Sequence, residues 1–221
     1  MRVVIAGAGK VGRSIAKELV ANGHDVLLVD RDAECIRPES IPGAEWLQAD
    51  ACEIAVLEGM GLERCQVVVA ATGDDKVNLV LSLLAKTEYG VPRVVARVNH
   101  PKNEWMFDES WGVDVAVSTP RMLSALVEEA VSIGDLVRLF EFRQGHANLV
   151  ELTLPPASAL AGTRVGDVAW PADTALVAIL RDGLVLTPSR DDAVEGGDEL
   201  LFVATEDAEP LLQQILAPDH V

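Results

Sequence analysis

Aromatic residues are scarce in this 221-residue chain: 4% Phe, Trp and Tyr, against 49% hydrophobic residues overall. Its cores must therefore be aliphatic, which suits buried strands of a parallel sheet covered by helices. Cysteine is also sparse. Cys35, Cys52 and Cys65 form no CxxC and no Cys/His grouping at zinc-ligand spacing. A disulfide scaffold and a zinc module are excluded, and reduced thiols in a cytosolic protein are expected. No apolar run approaches the ~20 residues that span a bilayer, and no leader-like segment precedes the first strand pattern. The expectation is a soluble, cytoplasmic protein.

Positive charge is short as well. The chain has 18 Lys and Arg against 35 Asp and Glu, net −17. Residues 1–145 carry 15 basic and 22 acidic groups, whereas residues 146–221 carry 3 and 13. Such a surface repels phosphate backbones and anionic lipid, which argues against nucleic acid as a partner. A small nucleotide stays open, because a glycine loop on a helix N-terminus acts locally.

Catalytic patterns are missing too. There is no Ser/His/Asp arrangement, HExxH, Walker-type Lys-Ser/Thr or kinase motif. Of the four histidines, His24, His100, His146 and His220, only His100 falls near a predicted strand end. A dehydrogenase needs a substrate domain with an acid or base beside the nicotinamide. Only 76 acidic-biased residues follow position 145.

What is present begins at residue 2. An apolar strand pattern over 2–6 runs into Gly7-Ala8-Gly9-Lys10-Val11-Gly12, and a helix pattern over 10–22 stops at Gly23. Strands are expected at 26–29, 46–49, 67–71, 94–98 and 113–117, with helices at 53–59, 77–89 and 101–111 between them. This alternation predicts a Rossmann-like, doubly wound parallel sheet. A long helix comes next over 120–133, with Leu123, Leu126, Val127, Ala130 and Val131 on one stripe. After it come a strand over 137–142, a polar turn over 143–148, short strands at 149–154, 175–180, 184–188 and 199–204, and a last helix over 208–216. That second rhythm predicts a small α+β domain, with the boundary placed near 145.

In the glycine loop, the first glycine permits a tight turn. The second lets backbone approach a pyrophosphate, and the third lets helix pack on strand. Asp30 lies 18 residues after Gly12 at the end of the second strand. That position normally accepts ribose hydroxyls and favours NAD over NADP, although Arg31 beside it would favour a 2′-phosphate. Lys10 either reaches a terminal phosphate, which suits ATP or ADP as well as NAD, or points to water. Asp50, Thr72, Gly73 and Arg97 fall at C-terminal strand ends, the edge where ligands of open α/β sheets bind. Arg97 interrupts an apolar strand and needs an anionic partner, a phosphate or a structural carboxylate. Asp74 and Asp75 are expected to cap the helix after them. The run Asp191, Asp192, Glu195, Asp198 and Glu199 reads as a solvated face, with a hard cation as the alternative.

The strings RVVIAGAGKVGRSIAKEL, VD at 29–30, QADACE at 48–53, VVVAATGDDKVNLV at 67–80 and VVARVNHP at 94–101 resemble the N-lobe of the Trk/Ktr-type potassium-transport regulators. AGTRVGDV, ALVAILRDG and EGGDELLFVA resemble the C-lobe of the same RCK-domain family, and the chain resembles its actinobacterial TrkA-like members in particular. The resemblance implies an RCK N-domain over 1–118, a crossover and dimerisation helix with a hinge strand over 119–145, and an RCK C-domain over 146–221. It implies a non-enzymatic regulatory subunit that binds NAD, NADH, ADP or ATP. The contacts it implies are Gly7, Ala8, Gly9, Lys10, Val11, Gly12, Asp30, Arg31, Thr72, Gly73 and Arg97, with Asp50 bordering the adenosine. It also implies homodimers built into octameric rings, a potassium-transporter pore subunit of the Trk/Ktr type as partner, a second RCK protein as another, and a place on the inner face of the plasma membrane. The chain departs from some relatives in carrying one N-lobe and one C-lobe rather than a tandem pair. The basic set by which some C-lobes hold cyclic di-AMP is missing, with Arg181 a lone candidate. The competing readings are a small NAD-dependent oxidoreductase and a regulator of another cation or amino-acid transporter.

Overall fold

A computed structural model describes residues 1–131, 133–142 and 147–217. The chain divides into two compact units, Met1–Pro120 and Arg121–Val221.

The first unit begins with β1 (Arg2–Ala6), α1 (Lys10–Ala21), β2 (Asp25–Asp30), β3 (Glu45–Gln48) and α2 (Ile54–Gly59). It continues with β4 (Val67–Ala70), α3 (Asp75–Thr87), β5 (Arg93–Val98) and β6 (Val115–Ser118). The six strands form one parallel sheet in the order β3-β2-β1-β4-β5-β6. The order reverses direction beside β1, which is the switch point where such sheets open a crevice at their carboxyl ends. Alternate residues of β1 feed opposite faces. Val4 and Ala6 join one core with Val68, Leu79 and Leu81, while Val3 and Ile5 join the other with Ala16, Val26 and Leu28. Helices on both faces explain why these strands read as continuous apolar runs.

Three expectations change here. The helix expected over 101–111 is two 3-10 segments, Pro101–Met106 and Glu109–Trp111. Asp108 breaks it by accepting the Ser110 amide at 2.9 Å, which starts a second short turn. The sixth strand falls at β6 rather than over 113–117, since Val113 is packed in the core ahead of it. The helix expected from 77 begins at Asp75, because Asp74 takes the cap and accepts the Lys76 amide at 2.9 Å. Asp75 does not cap; it lies inside the first turn and bonds instead to residues that come after β5.

α4 (Thr119–Val131) carries the chain from the first unit into the second. Of its expected stripe, Leu123, Leu126 and Val127 are exposed at 59%, 56% and 61%. The side chains of Ala130 and Val131 lie outside the described residues, as do Ser132, the turn residues 143–146 with His146, and the tail 218–221 with His220.

The second unit adds β7 (Val137–Glu141), β8 (Ala147–Thr153), β9 (Thr174–Arg181), β10 (Leu184–Leu186), β11 (Glu199–Thr205) and α5 (Glu209–Leu216). Its five strands make an antiparallel sheet in the order β10-β9-β11-β8-β7. Leu212 and Leu216 of α5 pack with Val150, Leu152, Leu200 and Phe202. Polar bonds fix the helix as well: Gln213 accepts the Leu136 amide at 2.6 Å, and Glu209 pairs with Arg138 at 2.7 Å.

Candidate functional site

The carboxyl ends of β1 to β5 open onto a cavity of about 640 Å³ in the first unit. That size suits a nucleotide-sized ligand. Ten of the twelve sequence-selected residues line it: Gly7, Gly9, Lys10, Val11, Asp30, Arg31, Asp50, Thr72, Gly73 and Arg97. Ala8 and Gly12 do not, and their roles are internal.

The three loop glycines separate by mechanism. Gly7 has φ +103°, and a Cβ on it would meet the Ala71 carbonyl oxygen at 2.6 Å. A Cβ on Gly12 would sit 1.8 Å from the Gly7 carbonyl oxygen. Both are required by the fold itself. A Cβ on Gly9 would meet nothing within 4 Å, although Gly9 lines the cavity and caps α1. No packing demands glycine there, so the open volume beside its backbone is room for a ligand. The Gly9, Lys10 and Val11 amides, at the start of α1, have no backbone acceptor among the described residues. Their N–H groups and the helix dipole suit an anion.

Asp30 both lines the cavity and fastens it. Its carboxylate accepts the Ala8 amide at 2.7 Å and the Asp32 amide at 2.9 Å. Each oxygen keeps a further lone pair for a hydroxyl. Asp50 accepts the Cys52 amide at 2.9 Å and borders the same end, between Ala49 and Ala51. Cys35, absent from the sequence-based set, also lines this end. Burial, and then the Asp30 and Asp32 carboxylates, push its thiol up, so it is an uncharged wall.

At the other end stand Thr72, Gly73 and Arg97. Arg97 donates from Nε to Thr119 Oγ1 at 3.2 Å, and no carboxylate pairs with it among the described residues. Arg97 also lines the cavity. Thr72 is held by Asn78, which is fully buried. Asp75 accepts the Asn99 amide at 2.7 Å, the His100 amide at 3.0 Å and the side-chain amides of Asn99 and Asn103 at 2.9 and 2.8 Å. Burial alone would raise this carboxyl; the bonds from Asn99, Asn103 and His100 outweigh it and hold it below the ordinary value. His100 does not line the cavity; its Nδ1 accepts the Lys102 amide at 3.2 Å.

In the second unit Arg181 is committed. It donates from Nε and an Nη to the Asp198 carboxylate at 2.7 and 2.8 Å, pairs with Glu195 at 2.5 Å and reaches the Ala193 carbonyl at 2.8 Å. It is a structural cation rather than a free phosphate ligand. Asp198 is 1% exposed, so two of the five carboxylates weighed as a cation site are turned to Arg181 instead. Asp192 accepts the Ser189 amide at 2.7 Å, and no grouping with metal-ligand geometry occurs among the described residues.

Residues 3–119 match the TrkA-N domain family, and residues 149–217 match the TrkA-C domain family. The chain belongs to the TrkA family. It is 60% identical over 218 residues to the Trk system potassium uptake protein TrkA of Mycobacterium tuberculosis, covering 99% of both chains. It is 31% identical to a TrkA homolog of Methanothermobacter thermautotrophicus, covering 94% of this chain and 95% of that one. The fold is similar to that of the GsuK channel bound to NAD, with a TM-score of 0.71 at 18% identity over 99% of this chain and 40% of the channel chain. The two lobes of this TrkA-family chain are thus the Rossmann-like sheet and the antiparallel sheet. No helix among the described residues is long and apolar enough to cross a membrane.

Proposed function

We propose that this chain is the cytosolic, nucleotide-sensing regulatory subunit of a potassium uptake system. The observation that carries this is the cavity at the carboxyl ends of β1 to β5. Unpartnered amides and open space at Gly9 meet a pyrophosphate, Asp30 and Asp50 meet a ribose and its base, and Arg97 has no carboxylate partner among the described residues. The ligand is an adenine nucleotide, NAD or NADH or ATP or ADP, held by Gly7 to Val11, Asp30, Arg31, Asp50, Thr72, Gly73 and Arg97. NADP fits less well, because the Asp30 carboxylate would face the 2′-phosphate.

The chain binds and does not turn over its nucleotide. This reading is supported by the cavity's carboxylates: Asp30 accepts the Ala8 and Asp32 amides and Asp50 accepts the Cys52 amide, which suits them to holding a ligand rather than moving a proton. Ligand state passes instead to a second copy of the chain. The stripe Leu123, Leu126 and Val127 on α4 is apolar and exposed, a face that association would cover. Rings built from such dimers would dock on the cytosolic side of a Trk/Ktr-type membrane pore subunit, placing the protein at the inner face of the membrane. The full-length likeness to proteins named for Trk potassium uptake supports that assignment.

Calorimetric titration with NADH, NAD, ADP and ATP, then potassium flux through the co-purified pore partner with and without nucleotide, tests the reading. Saturable binding and a nucleotide-dependent flux are expected. Steady oxidation of NADH with a carbonyl substrate would overturn it.

A further inference from the structure

Two segments of the chain carry polar residues that the nucleotide contacts do not use: Asp75 and Asn78 after β4, and Asn99 after β5. The structure joins them. Asn78 is fully buried and uses all of its side-chain hydrogen-bonding capacity. Its Oδ1 accepts the Thr72 amide at 3.0 Å and the Thr72 hydroxyl at 2.6 Å. Its Nδ2 donates to the Thr72 carbonyl at 3.2 Å and to the Arg97 carbonyl at 2.8 Å. One side chain from α3 thus fastens the end of β4 to the end of β5, at Thr72 and Arg97, two of the residues that line the cavity. Asn99 adds a second donor to the Thr72 carbonyl at 3.0 Å, and Asp75 holds Asn99 in place.

These bonds sit at one end of the cavity only. The sheet order puts Asp30 and the Asp50 loop beyond β1 on one side, and Thr72, just after β4, and Arg97, on β5, on the other. A ligand with its ribose at Asp30 and its first phosphate at the glycine loop reaches Thr72, Gly73 and Arg97 only through groups beyond that phosphate. We propose that Asn78 is a positioning residue for this distal half. It fixes where Gly73 and Arg97 stand, and so sets how well the chain holds a second and third phosphate or a second nucleoside relative to a bare monophosphate. The inference rests on the nucleotide reading of the cavity.

The test compares AMP, ATP and NADH by calorimetry on the full chain. The variants are Asn78→Asp, Asn99→Ala and, as control, Ser82→Ala. Asn78→Asp keeps shape but replaces both donors with an oxygen facing two carbonyls. Asn99→Ala removes one support from a half-buried site, and its melting temperature reports whether the fold is kept. Ser82 is buried in the same helix, and its hydroxyl donates to the Asn78 carbonyl at 2.7 Å, with no other side-chain partner among the described residues. The expected result is AMP affinity within about twofold in every variant, with ATP and NADH weakened about tenfold by Asn78→Asp and about threefold by Asn99→Ala. Ser82→Ala should lower the melting temperature without changing the AMP-to-ATP ratio. Equal losses for all three ligands, or an unchanged ratio in Asn99→Ala, would overturn the positioning role even if Asn78→Asp fails to fold. Wild-type protein that binds none of the three would overturn the nucleotide reading itself, a separate failure.

Discussion

Arg97 and Thr119 are hydrogen-bonded, Nε to Oγ1, at 3.2 Å. One partner lines the cavity and the other is the first residue of α4, whose exposed apolar stripe begins one turn later. A phosphate that draws the guanidinium inward competes directly with a bond at the root of that helix. If the proposed nucleotide binds there, this bond is the expected route by which ligand state reaches the start of α4.

The first expected outcome concerns that bond. Thr119→Val leaves the guanidinium in the cavity, so nucleotide affinity should stay within about threefold. Ligand-dependent protection of the α4 amides in hydrogen exchange should shrink or vanish. Arg97→Ala should instead weaken ATP by about tenfold or more, because a charge-assisted contact is lost. Full protection changes in Thr119→Val would show that the coupling runs elsewhere.

The glycine loop yields a contrast between two neighbours. Gly9→Val should abolish nucleotide binding with stability changed by about 1 kcal/mol or less, since its Cβ enters open space. Gly12→Ala should cost about 3 kcal/mol, because its Cβ overlaps the Gly7 carbonyl oxygen at 1.8 Å. Denaturant melts and calorimetry on the same preparations separate the two effects. A Gly9→Val chain that still binds ATP places the ligand elsewhere.

Asp30→Ala should weaken NADH and ATP together by about 10- to 100-fold, through loss of a charged acceptor for ribose. It should also cost about 1 kcal/mol of stability, because the Ala8 amide loses its acceptor at 2.7 Å. An affinity unchanged by calorimetry would remove Asp30 from the ligand contacts and leave it a fastener of the loop.

Much of the fold was legible in the residues, for physical reasons. Strands buried on both faces must be continuously apolar, so β1, β2, β4 and β5 announced themselves. The phosphate loop and Asp30 are set by local spacing along one β-α-β unit. What stayed hidden depends on side chains meeting across long sequence separations. Asn78 and Arg97 are 19 residues apart, and Asp75 and Asn103 are 28 apart. Asp75 next to Asp74 looks like a cap by type alone, and only the fold shows it reaching the end of β5. Arg181 looked like a free cation because its partner Asp198 lies 17 residues on, beside the start of the neighbouring strand β11. The stretch 101–111 has helical composition but is broken by Asp108, whose local bond to Ser110 competes with a continuing helix.

α4 carries the prediction about assembly. Leu126→Glu places a charge on a face that is 56% exposed in the single chain, so the monomer should fold normally. It should lower the mass seen by light scattering from a dimer or larger species to a monomer, because an unpaired carboxylate would be buried in the contact. Wild-type protein that is monomeric at micromolar concentration would count against the α4 contact.

The last expectation concerns acid. Asp198 is buried against Arg181, and burial alone would raise its carboxyl. The Arg181 guanidinium and the Glu195 amide outweigh that and hold it below the ordinary value of 3.8. A carboxyl whose pKa is lower folded than unfolded gives its full stabilisation where it is ionised in both states, and progressively less once the unfolded chain takes up the proton. That contribution is complete above about pH 5 and is lost as pH falls through the folded value. Asp75 has the same sign, held down by its amide donors. Urea melts of the full chain should therefore show stability that is flat from pH 7 to about pH 5 and drops below about pH 4. Arg181→Met should cost about 3 kcal/mol at pH 7, since it leaves the Asp198 charge buried and unpaired, and Asp198→Asn in that background should recover part of it. The same Arg181→Met chain should bind nucleotide with wild-type affinity, because every partner of Arg181 lies in the second unit and the cavity lies in the first. Acid stability that is identical in wild type and Asp198→Asn would mean that the pair contributes nothing to the pH dependence.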